Sequence, residues 1–133
     1  CENNFKIYKK IAKKAKLDVI IINKYDIYEI IYASDLVIMT SSTVGLESIV
    51  LNKPTININI TNAKEYMPYS ESKAAIGVFN LSYLYSAIHN ALYDKKTLKE
   101  LEVNRSRFIN HQVFKVDGKS TERILSLIDK SRG

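Results

Sequence analysis

Thr40-Ser41-Ser42-Thr43 sets four hydroxyl side chains in a row behind a short apolar run, Leu36–Met39. Directly after them, Val44, Leu46, Ile49 and Val50 recur at helical spacing. The apolar run suits a strand buried on both faces. A helix that opens at the carboxyl end of such a strand turns its unbonded N–H groups toward the crevice above the sheet, where α/β proteins hold phosphates. Hydroxyl and small residues at that turn, Gly45 among them, add donors without blocking a ligand. Glu47 lies one turn into the helix, within reach of a sugar hydroxyl beside the phosphate. These residue types in this order suit a nucleotide diphosphate, with donors aimed at the charge that grows as it leaves. The same hydroxyls also suit a plain helix cap, and Glu47 a surface carboxylate favoured by the helix dipole.

Other reactive side chains lack comparable company. His89 falls mid-helix beside Ile88, and His111 follows a helix end. Neither has Cys, Asp or Glu at metal-ligand spacing, so no metal site is expected. Asp117-Gly118 reads as a turn. Tyr66 and Tyr69 fall in the longest aperiodic stretch, where they can stack on a base or sugar or pack over the end of the sheet. Arg105 and Arg107 fall on different sides of one helix and are expected to be solvated. No catalytic base can be assigned.

The elements that must position the hydroxyl turn follow from periodicity and punctuation. Asn3 or Asn4 can cap a first helix that runs to about Lys16. Val19–Ile22 is a β-branched run fit for a buried strand. A short helix is expected from Ile27 to Tyr32, with Asp26 as its cap. Asn52-Lys53-Pro54 ends the helix behind the hydroxyl turn, because proline lacks the N–H to continue it and pushes its predecessor out of helical geometry. Thr55–Ile60 alternates Ile with Asn, as in a strand near the sheet edge or one whose asparagines face a site. Thr61–Lys73 is a loop, Ala75–Phe79 a small strand, and Asn80 caps a helix over Leu81–Tyr93 with Leu81, Leu84, Ile88 and Leu92 inward. Further helices are expected from Lys96 to Asn110 and from Ser120, the last with Ile124, Leu127 and Ile128 inside. Strands alternating with helices predict an α/β, Rossmann-like parallel sheet of about four strands with helices on both faces.

With 133 residues the chain suits one domain. No apolar run approaches the ~18 residues of a membrane span. The lone cysteine, Cys1, excludes an internal disulfide and fits a reducing, cytoplasmic setting. The net charge of +6 is concentrated at one end: residues 1–16 hold six lysines against Glu2, and the remainder is near neutral. That distribution does not suit a nucleic-acid partner. It leaves a lysine-rich first helix that is either a solvated face or a contact for an anionic membrane surface, which would make the protein peripheral to the membrane.

The segment ASDLVIMTSSTVGLESIVLNKPTI resembles the donor-binding segment of GT-B-fold enzymes. These are the nucleotide-sugar glycosyltransferases, the sugar 2-epimerases and the glycerophosphotransferases of wall-polymer synthesis. Their shared pattern is a strand ending in a Ser/Gly turn, a helix with an acidic residue, a Lys-Pro break and another strand. AAIGVFNLSYLYSAIHNAL and DGKSTERILSLI resemble downstream stretches of the same superfamily, so the likeness extends over about Val19 to Ile128. It implies that Ser41, Ser42 and Thr43 hold a donor diphosphate and that Glu47 bonds the ribose hydroxyls. The chain departs from the epimerases in having Thr40-Ser41-Ser42-Thr43 for their Asp-Ser-Gly-Gly, and Leu46 where they carry a second acid. It departs from the glycerophosphotransferases in the Asp and the bulkier aromatics they usually have in the helix. The resemblance implies the C-terminal, nucleotide-sugar-binding half of a two-domain transferase. The N-terminal half would then be a partner, and the piece would be inactive without it. A non-catalytic α/β module that binds a nucleotide or protein, or an epimerase fragment, is the alternative.

Overall fold

The computed structural model describes residues 2–22 and 24–131, so Cys1 lies outside the described residues. The chain divides into two compact units, Cys1–Ile30 and Ile31–Gly133.

In the first unit, α1 spans Glu2–Ala15. It starts ahead of Asn3 and Asn4, so neither occupies the cap position. Lys16, at φ 54°, turns the chain out of the helix. Its N–H donates to the Lys13 carbonyl, and the Leu17 N–H donates to that of Ala12. This is the paired closure that a left-handed residue provides at a helix end. The expected strand over Val19–Ile22 does not form, and Ile20 is 87% exposed. A β-branched run becomes a strand only when a neighbour takes up its backbone groups, and these four residues have no strand partner among the described residues. The short helix that follows, α2, covers Ile27–Ala33, with the Tyr28 N–H bonded to the Asp26 carboxylate as expected.

The second unit is built on three parallel strands, not four: β1 (Val37–Met39), β2 (Thr55–Ile58) and β3 (Ile76–Val78), in the order β1-β2-β3. Ile38 aligns with Ile56, and Ile56 with Ile76. The Ile/Asn strand is therefore central, and its alternation separates two packed faces. Ile56 and Val78 join Ala87 and Ala91 of α4 (Leu84–Tyr93) in one cluster. On the other face, Met39 packs with Ile49 of α3 (Val44–Val50), Tyr69 and Phe108 of α5 (Lys95–Gln112).

Several local details differ from the pattern reading. The helix after Asn80 opens as a 3-10 turn over Leu81–Tyr83, with the Ser82 N–H bonded to Asn80. Leu81 is exposed, and the inward face of α4 is centred on Ala87 and Ala91, which allow a close approach to the sheet. The last helix, α6 (Ser120–Lys130), takes Ser120 inside it, with Lys119 at the cap position. Ile124, Leu127 and Ile128 are exposed rather than inside. Its first turn is held by Arg123, which bonds the Asp117 carboxylate at 2.9 Å.

α5 carries a cap that the sequence reading missed. Asp94 accepts from the Thr97 N–H at 2.9 Å and from its hydroxyl at 2.6 Å. The Thr97 hydroxyl, and then the N–H, hold this carboxylate below the ordinary aspartate range. A lowered folded-state value means that its stabilisation is present above the unfolded value and is lost as pH falls through the folded one. Asp94→Asn keeps an acceptor at the cap, so its thermal unfolding between pH 2 and 5 is expected to fall less steeply than the parent's. Parallel curves for the two proteins would show that the ionised cap contributes nothing.

Candidate functional site

The hydroxyl turn sits at the carboxyl end of β1, and its shape is set by one strained residue and one buried amide. Ser41 has φ 41°, in the left-handed region that residues other than glycine rarely adopt. That conformation points its N–H at Asn57 Oδ1 on β2, 3.2 Å away. The turn's acceptors are taken up by the first N–H groups of the helix. Ser42 Oγ accepts from the Val44 N–H, the Ser42 carbonyl from Gly45, and the Thr43 carbonyl from Leu46 and Glu47. Among the described residues, nothing accepts from the Ser42 and Thr43 N–H groups. The donors available to a ligand are therefore these two adjacent N–H groups and the hydroxyls of Ser41, Ser42 and Thr43.

Asn57 ties the turn to the long loop. Fully buried, it donates through Nδ2 to Glu65 Oε1 at 2.8 Å and to Ser70 Oγ at 3.3 Å. Glu65 Oε2 in turn accepts from the Ser70 N–H at 3.0 Å. Burying an amide is tolerable when its oxygen and both its hydrogens find partners, and here they do. The loop expected from lack of periodicity is thus pinned to the sheet at Glu65 and Ser70. The Ile/Asn alternation allowed a strand near the sheet edge or one whose asparagines face a site; β2 is central, and Asn57 lines the notch. Nothing local distinguished Glu65 from any other loop carboxylate.

Two pockets open here. A notch of about 70 Å³ is lined by Ser41, Ser42, Thr43, Asn57, Glu65, Tyr66, Met67 and Tyr69. Its space is that of two or three water molecules at roughly 30 Å³ each, enough for a small polar group but not for a nucleotide. A groove of about 680 Å³ shares Glu65 and Tyr66 with the notch and is further lined by Asn59, Asn62, Lys64, Ser70, Glu71 and Phe79. Its volume falls in the range of small-molecule sites, roughly 300–1,000 Å³. Tyr66 is 88% exposed, and with the exposed Phe79 it offers aromatic surface at the groove wall. The lining holds two carboxylates against the single cation Lys64, a balance that favours a neutral, hydroxyl-rich ring over a bare phosphate.

The six residues singled out from sequence separate into three groups. Ser41, Ser42 and Thr43 line the notch, while the exposed Thr40 precedes it and lines neither pocket. Gly45 is buried beneath Tyr69: a β-carbon there would lie 2.6 Å from Met39 Cε and 3.0 Å from Tyr69 Cζ. Its smallness serves the contact between α3 and the Tyr69 ring. Glu47 is half-buried on α3 and lines neither pocket.

Tyr69 is a packing group with a polar tip. Its ring lies 5.6 Å from that of Phe108, and its hydroxyl donates to the Ser42 carbonyl at 3.2 Å. Burial, and then the charges of Glu47 and Glu65, raise its pKa above the usual tyrosine value, so it remains a hydrogen-bond donor at neutral pH. The His89 ring is tilted against that of Tyr93 on α4, with centroids 5.4 Å apart, and lines neither pocket; His111 lies in the last turn of α5. No group of three metal-ligating side chains occurs among the described residues.

No protein-family model, curated protein or solved structure matches the chain.

Proposed function

We propose that the chain binds a nucleotide-sugar donor in the crevice at the carboxyl ends of its strands, as the donor-binding part of a glycosyltransferase or related polymer-building transferase. The observation that carries this reading is the adjacency of the two pockets: a small notch with N–H and hydroxyl donors shares Glu65 and Tyr66 with a groove of ligand size. That position, outside the carboxyl ends of parallel strands, is where open α/β sheets take ligands. A phosphate oxygen at the notch is met by Ser42 and Thr43, and a ring in the groove by Tyr66 and Phe79, with carboxylates accepting from its hydroxyls. The resemblance of Asp35–Pro54 to the GT-B donor segment points the same way.

Both candidate bases of the notch are committed: Tyr69 is protonated and donating, and both oxygens of Glu65 hold donors. The notch therefore supports binding, and activation of an acceptor needs a group from outside it. That favours, as the second reading, a module that binds a nucleotide without turning it over.

An NMR titration of the isotopically labelled chain with millimolar UDP, CDP and GDP tests the proposal. Shifts are expected at Ser41–Thr43, in residues 61–73 and at Phe79, larger for one base than for the others. Tyr66→Ala is expected to weaken binding about five-fold or more, from the ~1 kcal/mol or more that aromatic stacking on a base contributes. Absence of shifts with all three nucleotides and with their sugar conjugates would sink the reading.

A further inference from the structure

Independently of the crevice, we propose that α1 is an interfacial helix that lies on an anionic lipid bilayer. The inference rests on how its side chains are segregated. At about 100° per residue, Phe5, Ile7, Tyr8, Ile11, Ala12 and Ala15 fall on one arc and Lys6, Lys9, Lys10, Lys13 and Lys14 on the other, with no lysine inside the apolar arc. The apolar arc is open: Ile7, Tyr8 and Ile11 are 53%, 58% and 57% exposed. Lys16, just past the helix end, extends the basic side, and the only acid on the helix is Glu2.

A helix with one apolar and one lysine-rich face inserts the first among lipid headgroups and acyl chains while the second stays with the phosphates. Lysine suits this arrangement because its alkyl stem follows apolar surface while its ammonium reaches the headgroups. A nucleic-acid backbone satisfies the lysines alone and leaves an equally wide apolar arc in water, so the bilayer is the partner that matches both faces. The geometry is that of a helix lying in the surface: α1 has 14 residues, and among the described residues no helix is long and apolar enough to cross a membrane. Attraction to an anionic leaflet is local and screened by salt.

Flotation of the whole chain with extruded vesicles tests this, using phosphatidylcholine with 30% phosphatidylglycerol against phosphatidylcholine alone. Binding to the anionic vesicles is expected at 50 mM salt, with a severalfold loss at 500 mM and little binding to the neutral ones. Each lysine near the surface contributes roughly five-fold to partitioning, so Lys9→Gln with Lys13→Gln is expected to lower it about twenty-five-fold. Ile7→Asn with Ile11→Asn, which keeps every charge, is expected to abolish insertion while leaving the circular dichroism of the free chain unchanged. No binding to anionic vesicles by the parent chain overturns the proposal. So does binding that survives the isoleucine substitutions, which would mark a purely electrostatic surface, or retention by RNA in place of vesicles.

Discussion

Asn52→Gly is expected to destabilise the protein by about 1.5–3 kcal/mol, the range for hydrogen bonds to a charged group, although glycine suits the backbone at this position. Asn52 sits at φ 57° just past α3. Its N–H donates to the Ile49 carbonyl and the Lys53 N–H to that of Ser48, the pair of bonds that closes a helix on a left-handed residue. Glycine preserves that closure. What it removes is the acceptor for Arg105, which reaches from α5 to donate to Asn52 Oδ1 through Nε at 3.1 Å and Nη2 at 2.9 Å. Arg105 is buried, contrary to the solvated position expected from its surroundings in sequence. Burial pushes its pKa down, with Glu102 opposing, but a guanidinium stays charged in proteins. Once the amide is gone, the cation keeps, among the described residues, only the Lys53 carbonyl as an acceptor, at 3.5 Å.

Arg105→Met is the contrasting case. It removes the charge together with the need for an acceptor and retains an unbranched apolar stem, so its cost is expected to be smaller, about 1 kcal/mol. Urea denaturation of the two single variants and the double variant distinguishes these effects. The double variant is expected to match Arg105→Met within about 0.5 kcal/mol. Simple additivity of the two losses would show that the contact between α3 and α5 does not depend on this bond.

The second large effect is expected at Asn57. Asn57→Asp exchanges the Nδ2 donor for an acceptor, placing a second carboxylate at hydrogen-bond distance from Glu65 in a fully buried position. At neutral pH the expected loss is about 3 kcal/mol or more, the scale of an uncompensated buried charge. The sign of its pH dependence follows from proton binding. The new carboxyl group holds its proton more tightly folded than unfolded. The variant is therefore closest to the parent below the ordinary aspartate pKa and falls away as pH rises.

Asn57→Leu leaves both the Ser41 N–H and Glu65 Oε1 without their partner, but it adds no ionisable group. Its deficit against the parent is expected to vary less with pH than that of Asn57→Asp. Urea midpoints of both variants and the parent at pH 4 and pH 7.5 give the comparison. Equal deficits for Asn57→Asp at both pH values would mean that Glu65 moves away and that the link from sheet to loop is weak.

How much of this was legible beforehand depends on the range of the interaction. The caps at Asp26 and Asn80, the closure at Asn52-Lys53-Pro54, and the order of the helices with three of the four expected strands all rest on residues a few positions apart. Periodicity and turn chemistry record such neighbours directly. Periodicity also shows that a segment has an apolar face, as in Val19–Ile22 and α6, yet it carries no information on whether anything covers that face. In the fold, Ile20, Ile124 and Leu127 remain exposed.

The candidate site divides along the same line. Residue types alone indicated hydroxyls behind an apolar strand, but the strand expected to be buried on both faces is the edge strand β1, with Ile38 45% exposed. They left the asparagines either near a sheet edge or facing a site. Only in the packed fold is the Ser41 N–H taken by Asn57, and only there is Gly45 overlaid by Tyr69. Only there do Glu65 and Ser70 meet Asn57, and does Arg105 close on a residue 53 positions away. Each of these outcomes depends on a contact whose partners are distant in the chain. Such partners are selected by how buried polar groups must be satisfied once the sheet and helices have packed.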